Sequence, residues 1–178
     1  MAKPMTPQEV FELAGLLSRM QQDQIDEMIR DLRREQPALY DYFDSLHRLF
    51  PDAGEWNEVV GVCYTTWQIL KHSPDPPGRV TVEMLAQANE RYLAELRRLT
   101  ALPEEARKQA VTEVVLSYPE PAMLAYLVVA MKQVGPSWGE QTITRANNAL
   151  RVLLDALLAS RGRPARRASA RRMPPGRA

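Results

Sequence analysis

The sequence predicts an all-α fold, a compact bundle or short solenoid-like stack of seven or eight helices with a disordered basic C-terminal tail. Three observations predict it. Prolines outnumber glycines, 14 to 8, in a chain rich in Leu, Ala, Glu and Arg, a composition of helices punctuated by proline rather than of strands joined by glycine turns. Apolar residues recur at spacings of three and four along most of the chain. Helix-start chemistry, a Ser, Thr or Asp with Glu three residues on, precedes several of these runs. At 178 residues and 45% apolar content the chain supports one sizeable core. Residues 1–160 read as a helical domain, with two candidate halves, 6–72 and 81–160, joined by the Pro-rich loop 73–80, and 161–178 as the tail.

The elements follow in order. Thr6, Pro7 and Glu9 form a capping box with proline at the first helical position, opening a helix to about Arg19 with Val10, Leu13, Ala14 and Leu17 on one face. A strongly charged second helix, Gln22 to Arg34, carries Ile25, Met28, Ile29 and Leu32 and ends before Pro37, because the residue preceding a proline disfavours the α region. Pro37 opens a third, with Leu39, Tyr42, Phe43, Leu46 and Phe50 inside, and Pro51 stops it. Asp52 to Glu55 caps a fourth helix that is apolar on nearly every side from Trp56 to Leu70 and is expected to be the central one.

The stretch Ser73 to Gly78, SPDPPG, cannot continue a helix and reads as a midpoint hinge. Thr81 caps a fifth helix with Leu85, Tyr92, Leu93, Leu96 and Leu99 on its face. Pro103, Glu104 and Glu105 start a sixth, with Val111, Val114, Val115 and Tyr118 expected inside. Pro121 starts a seventh through Gln133, and Ser137 to Glu140 reads as the capping box of an eighth that carries Ile143, Ala146, Leu150, Leu153, Leu154 and Leu157 to about Ser160. Pro37, Ala38, Leu39 and Tyr42 align with Pro121, Ala122, Met123 and Tyr126 at a constant offset, a faint repeat that either duplication or convergent helix-start chemistry produces. No short fixed period of a helical repeat array is present.

Charge is segregated. The net charge is +1, yet residues 1–160 hold 16 basic and 22 acidic side chains, whereas residues 161–178 hold seven arginines and no acid. Arg161, Arg163, Arg166, Arg167, Arg171, Arg172 and Arg177 are therefore the candidate polyanion-binding residues, since spaced guanidinium groups contact phosphate without needing a fold. A weakly constrained, incidentally sticky extension explains the same run. A helix-turn-helix reading of the first two helices conflicts with the acidic second helix.

Motifs for catalysis are missing from the sequence. Two histidines, His47 and His72, and one cysteine, Cys63, are too few soft ligands for a structural zinc site, so no metal and no cofactor is expected. Glycines are scattered rather than gathered into a phosphate cradle, and no nucleophile elbow occurs. Asp44 and His47 share a helix face and read as an exposed local ion pair or hydrogen bond, and His72 as a favourable partner of the helix dipole. Trp56, Trp67 and Trp138 read as core or staple residues rather than a ligand box. In the eighth helix Asn147 and Asn148 are poor helix formers, and at least one is expected to face a partner or a neighbouring backbone.

The lone cysteine fits a reducing, cytoplasmic compartment, and the N-terminus lacks the apolar core of an export signal. No uncharged run approaches the length of a membrane span. The sequence reading is thus a non-catalytic helical interaction or scaffold module that binds a protein partner. The alternatives are a nucleic-acid-associated protein working through its tail, and a helical enzyme without recognisable motifs.

Overall fold

A computed structural model describes residues 3–135 and 138–161. Eight α-helices and one 3₁₀ turn are present among the described residues, without strands: α1 Pro7–Leu17, α2 Gln22–Glu35, α3 Pro37–Ser45, the 3₁₀ turn Leu46–Arg48, α4 Ala53–Lys71, α5 Val82–Thr100, α6 Glu104–Leu116, α7 Pro121–Val134 and α8 Glu140–Ser160. The fold class is therefore the all-α one. No single helix among the described residues is long and apolar enough to cross a membrane.

Local chemistry accounts for the starts. Thr6 Oγ1 accepts from the Glu9 N–H at 3.3 Å while Glu9 Oε2 accepts from the Thr6 N–H at 2.7 Å, the reciprocal box that satisfies two orphan donors. Asp52 accepts from Glu55 N–H at 3.0 Å, and Thr81 from Met84 N–H at 3.3 Å. Pro37 and Pro121 each occupy the first position of their helix. The expected box from Ser137 to Glu140 is not the start of α8: Gly139 takes the cap position and Glu140 is the first helical residue, while Ser137 lies outside the described residues. The third helix is also shorter than its pattern. Ser45 Oγ donates to the Tyr42 carbonyl at 2.7 Å, and the chain tightens into the 3₁₀ turn before Pro51.

Two helices share the centre that the sequence assigns to one. On α4, Val59, Cys63, Trp67, Ile69 and Leu70 are buried, and on α8, Ala146, Leu150, Leu153, Leu154 and Leu157 are equally so. α8 packs along α5 and against α4 and α7, while α1 lies on α7 and α4. One continuous apolar cluster takes residues from both candidate halves.

A pair of buried side chains stitches those halves together. Gln36, the cap residue before Pro37, donates from Nε2 to the Gly78 carbonyl at 2.8 Å and accepts from the Val80 N–H at 2.9 Å. Glu120, the cap residue before Pro121, accepts from the Met5 N–H at 3.1 Å. Backbone angles at the two caps nearly coincide, φ −132°, ψ 59° and φ −130°, ψ 75°. Each cap grips a residue outside the helices, Val80 or Met5, that is buried and immediately precedes a capping threonine, Thr81 or Thr6. The first half thus holds the start of the second, and the second holds the start of the first. The connection expected to be a hinge is pinned at both ends, by Gln36 and by Ser73 Oγ, which donates to Leu70 O at 2.7 Å.

The sixth helix departs from its expected burial. Val111 and Val115 are each 43% exposed and Leu116 is 77% exposed; only Ala110 of α6 is buried. The reason is tertiary. α6 touches only α5 and α7 closely, so much of its apolar stripe has no neighbour among the described residues. Leu93 of α5 is likewise 37% exposed. Tyr118 is buried as expected.

Candidate functional site

Among the described residues three concave regions border α8, and two of them carry a candidate site. One is a mostly apolar groove of about 660 Å³ between α3, α5 and α8. Its floor is made by buried Leu46, Leu85, Ala149 and Val152, and its rim by Leu49 and Val82, which are 45% and 66% exposed. α3 is anchored across the groove by Tyr42, whose hydroxyl donates to the Ala149 carbonyl at 3.0 Å, and Arg145 Nη1 reaches the Leu49 carbonyl at 3.2 Å. Asp41, Asn89 and Arg145 put polar groups beside the apolar rim. An apolar floor with a few polar groups at its border is the form of a surface that seats the apolar face of another helix.

The other is a cleft of about 650 Å³ between α5, the start of α7 and the end of α8, whose lining includes the charged side chains of Asp75, Arg91, Glu95, Glu120, Asp155 and Arg161. Asp155 of α8 accepts from the Tyr118 hydroxyl and, at 3.2 Å, from Arg151 Nε, while Arg151 Nη2 lies 3.5 Å from Glu95 of α5. The Arg151 guanidinium sits 4.5 Å from the Tyr118 ring centroid and 5.8 Å from that of Tyr92. Burial, then the charge and hydrogen bond of Asp155, push the Tyr118 hydroxyl far above its ordinary pKa. Tyr118 stays a neutral donor.

At the far end of the cleft Arg161 Nη1 binds Glu120 Oε1 at 2.6 Å, with Nη2 at 3.3 Å from Ser73 Oγ. The two side chains are only 14% and 3% exposed. Glu120 therefore joins the N-terminal segment through Met5, the 73–80 connection through Arg161 and Ser73, and the end of α8. Arg161 Nε is buried without a partner among the described residues.

Of the seven arginines predicted to contact polyanions, the structure places only Arg161, and it places that one on Glu120 rather than in solvent. Arg163, Arg166, Arg167, Arg171, Arg172 and Arg177 lie outside the described residues. Asp75, Glu95, Asp155 and one further cation, Arg91, line the same cleft.

The remaining residues singled out by sequence are dispersed. Cys63 is fully buried, and burial pushes its thiol pKa up, which keeps it a thiol. His47 sits in the 3₁₀ turn with its ring edge-on to Trp56 at 5.5 Å, and among the described residues it makes neither an ion pair nor a hydrogen bond with Asp44. His72 Nδ1 is 2.8 Å from the Gln68 carbonyl at the end of α4. Trp67 is 1% exposed in the core, Trp138 packs over Gly135, and the Trp56 indole N–H is buried without a partner among the described residues. Asn148 accepts from the Tyr92 hydroxyl at 2.9 Å, a tie between α5 and α8, while Asn147 is exposed. Among the described residues no group of three His, Cys, Asp or Glu side chains converges as a metal site would require.

Sequence reasoning missed Gln36, Glu120, Tyr92 and Asp155. Gln36 and Glu120 carried one signal, a polar residue directly before a helix-opening proline, but their partners are 41 to 115 residues away. Comparison with models of protein families, with curated proteins and with solved structures finds no match to this chain.

Proposed function

We propose that this chain is a non-catalytic helical interaction module whose apolar groove between α3, α5 and α8 receives an amphipathic helix of a protein partner. The observation that carries the reading is the pairing of exposed Leu49 and Val82 on the rim with a buried apolar floor. Exposed large apolar side chains gathered round a concavity lose water on association and have no such gain in the free protein. The charged cleft on the other side of α8 supports this reading over an enzymatic one. Most of its buried charged groups are engaged with one another, Arg151 with Asp155 and Glu95, and Arg161 with Glu120, and among the described residues no histidine or cysteine lines it.

The test is a rim variant, Leu49→Glu combined with Val82→Glu, which changes exposed positions and should leave the fold intact. Partners that co-purify with the native chain should be lost from the variant. Retention of every such partner by a folded variant would rule the groove out. The runner-up, a nucleic-acid-associated protein, draws on the six arginines between Arg163 and Arg177 and not on the helical domain, whose net charge is negative. Loss of bound material on nuclease treatment, with the rim variant behaving as the native chain, would favour it.

A further inference from the structure

Three helices, α2, α3 and α4, enclose a further pocket of about 420 Å³ that shares no lining residue with the groove or the charged cleft. Helical spacing assembles its walls. Tyr40, Phe43 and Asp44 lie on one face of α3, and Trp56, Val60 and Tyr64 on one face of α4, each set at intervals of three and four, while α2 adds two isoleucines. Four aromatic rings therefore meet around one space. Phe43 is 2% exposed at its floor, and its ring meets that of Tyr64 edge to face at 5.2 Å.

Gly61 also lines this pocket. Inside a helix glycine is less favourable than alanine, and a Cβ placed at Gly61 would meet no atom within 4 Å, so no close neighbour demands the glycine. Its missing side chain leaves the α4 wall open.

The lining selects a ligand by its charge. Aromatic ring faces are negative and attract cations, and one of these rings already draws one: the Arg33 guanidinium lies 5.3 Å from the Tyr40 centroid, outside the lining of the pocket. Asp44 is exposed and lines the pocket, whereas no lysine, arginine or histidine does among the described residues. Burial pushes the Tyr64 hydroxyl up to about 12, and the charge of Asp44 adds to that effect, so the carboxylate is felt inside the aromatic group. A primary ammonium or a guanidinium would lose water from its N–H donors without a matching set of acceptors in walls made mainly of carbon. A quaternary ammonium has no N–H to leave unpaired and presents methyl groups to the rings.

We propose that this pocket binds a quaternary ammonium group, held by the rings of Tyr40, Phe43, Trp56 and Tyr64 with exposed Asp44 as its counter-charge. The volume lies in the range of small-ligand pockets and leaves room for what the ammonium is attached to. The site does not rest on the apolar groove that receives a partner helix.

Choline titrated into the full chain tests it, read by NMR at the Trp56 indole and at the Gly61 and Tyr64 amides. Saturable shifts are expected at these three groups. Dimethylbutanol, the neutral isostere of choline with carbon in place of the ammonium nitrogen, should bind at least about fivefold more weakly, the contribution of one or two cation–π contacts. Gly61→Leu puts a side chain into the open space and should abolish the shifts while circular dichroism stays native, and Asp44→Asn should weaken binding by about twofold to threefold, as befits an exposed charge. Equal binding of the neutral isostere, a comparison that needs no variant, would overturn the proposal. So would the absence of saturable choline shifts, or full affinity in a folded Gly61→Leu chain. A peptide carrying trimethyl-lysine, titrated in the same way, separates the sources: tighter binding than choline assigns the ammonium to a protein side chain and weaker binding assigns it to a small molecule, and either result upholds the site.

Discussion

Replacing Arg161 by alanine withdraws the only ionic partner that Glu120 has among the described residues. The carboxylate is 3% exposed and keeps a single protein donor, the Met5 N–H at 3.1 Å. Breaking a buried pair by removing one member costs about 3 to 5 kcal/mol, because the survivor remains a desolvated charge. Two features move the expectation to the lower end. Arg161 is 14% exposed at the edge of an open cleft, so water can reach the vacated space, and its Nε has no partner to lose.

A loss of about 3 kcal/mol is therefore expected, which at this chain length lowers Tm by roughly 6 to 12 °C. Urea denaturation followed by far-ultraviolet circular dichroism measures it, with an unchanged m-value showing that the mutation acts on the folded state. Glu120→Gln in the Arg161→Ala background should recover part of the loss, since a neutral amide is less costly to bury than an unpaired carboxylate. A destabilisation by Arg161→Ala below about 0.5 kcal/mol, the ordinary range for a surface substitution, would refute the reasoning and return Arg161 to the solvated basic run.

Further outcomes are expected. Trp67→Ala should cost about 3 to 5 kcal/mol by urea denaturation, since the ring is 1% exposed between α4 and its neighbours. Leu116→Glu should shift stability by less than about 0.5 kcal/mol despite the apolar pattern of α6, because Leu116 is 77% exposed. Burial raises the pKa values of Tyr42 and Tyr118, and takes Tyr64 from 10.0 to about 12. The folded state thus binds more protons than the unfolded one above pH 10, so stability should be intact below that pH and fall as pH rises toward 12 and beyond; urea midpoints alongside tyrosinate absorbance would show it, and a flat profile would contradict it. If the chain binds duplex DNA, the slope of log K against log salt should be no steeper than about −5, since Arg161 is engaged and six arginines remain at about −0.9 each.

Helix existence and helix starts were legible because their causes are local. Thr6 with Glu9, Asp52 with Glu55, and prolines at positions 37 and 121 act within one turn, so a reader of the sequence sees both partners at once. The pattern of α4 revealed a buried helix for the same reason, since a segment apolar all round has no face to give to water. Ends were less sharp. The third helix tightened at Ser45, where side-chain bonding to the backbone competed with the apolar pattern that runs on to Phe50.

What only the tertiary structure decided is which face found a neighbour. Val111 and Val115 have the same spacing as buried pairs elsewhere, but periodicity states that a stripe exists and not that anything covers it. The choice of α8 as a second central helix, the reciprocal grip of Gln36 on Val80 and of Glu120 on Met5, and the capture of Arg161 all join residues 41 or more positions apart. Such pairings are set by the packing of helices whose sequences do not name their partners. Arg161 shows the limit most plainly: in the sequence it is one of seven like charges, and in the fold a single buried carboxylate separates it from the rest.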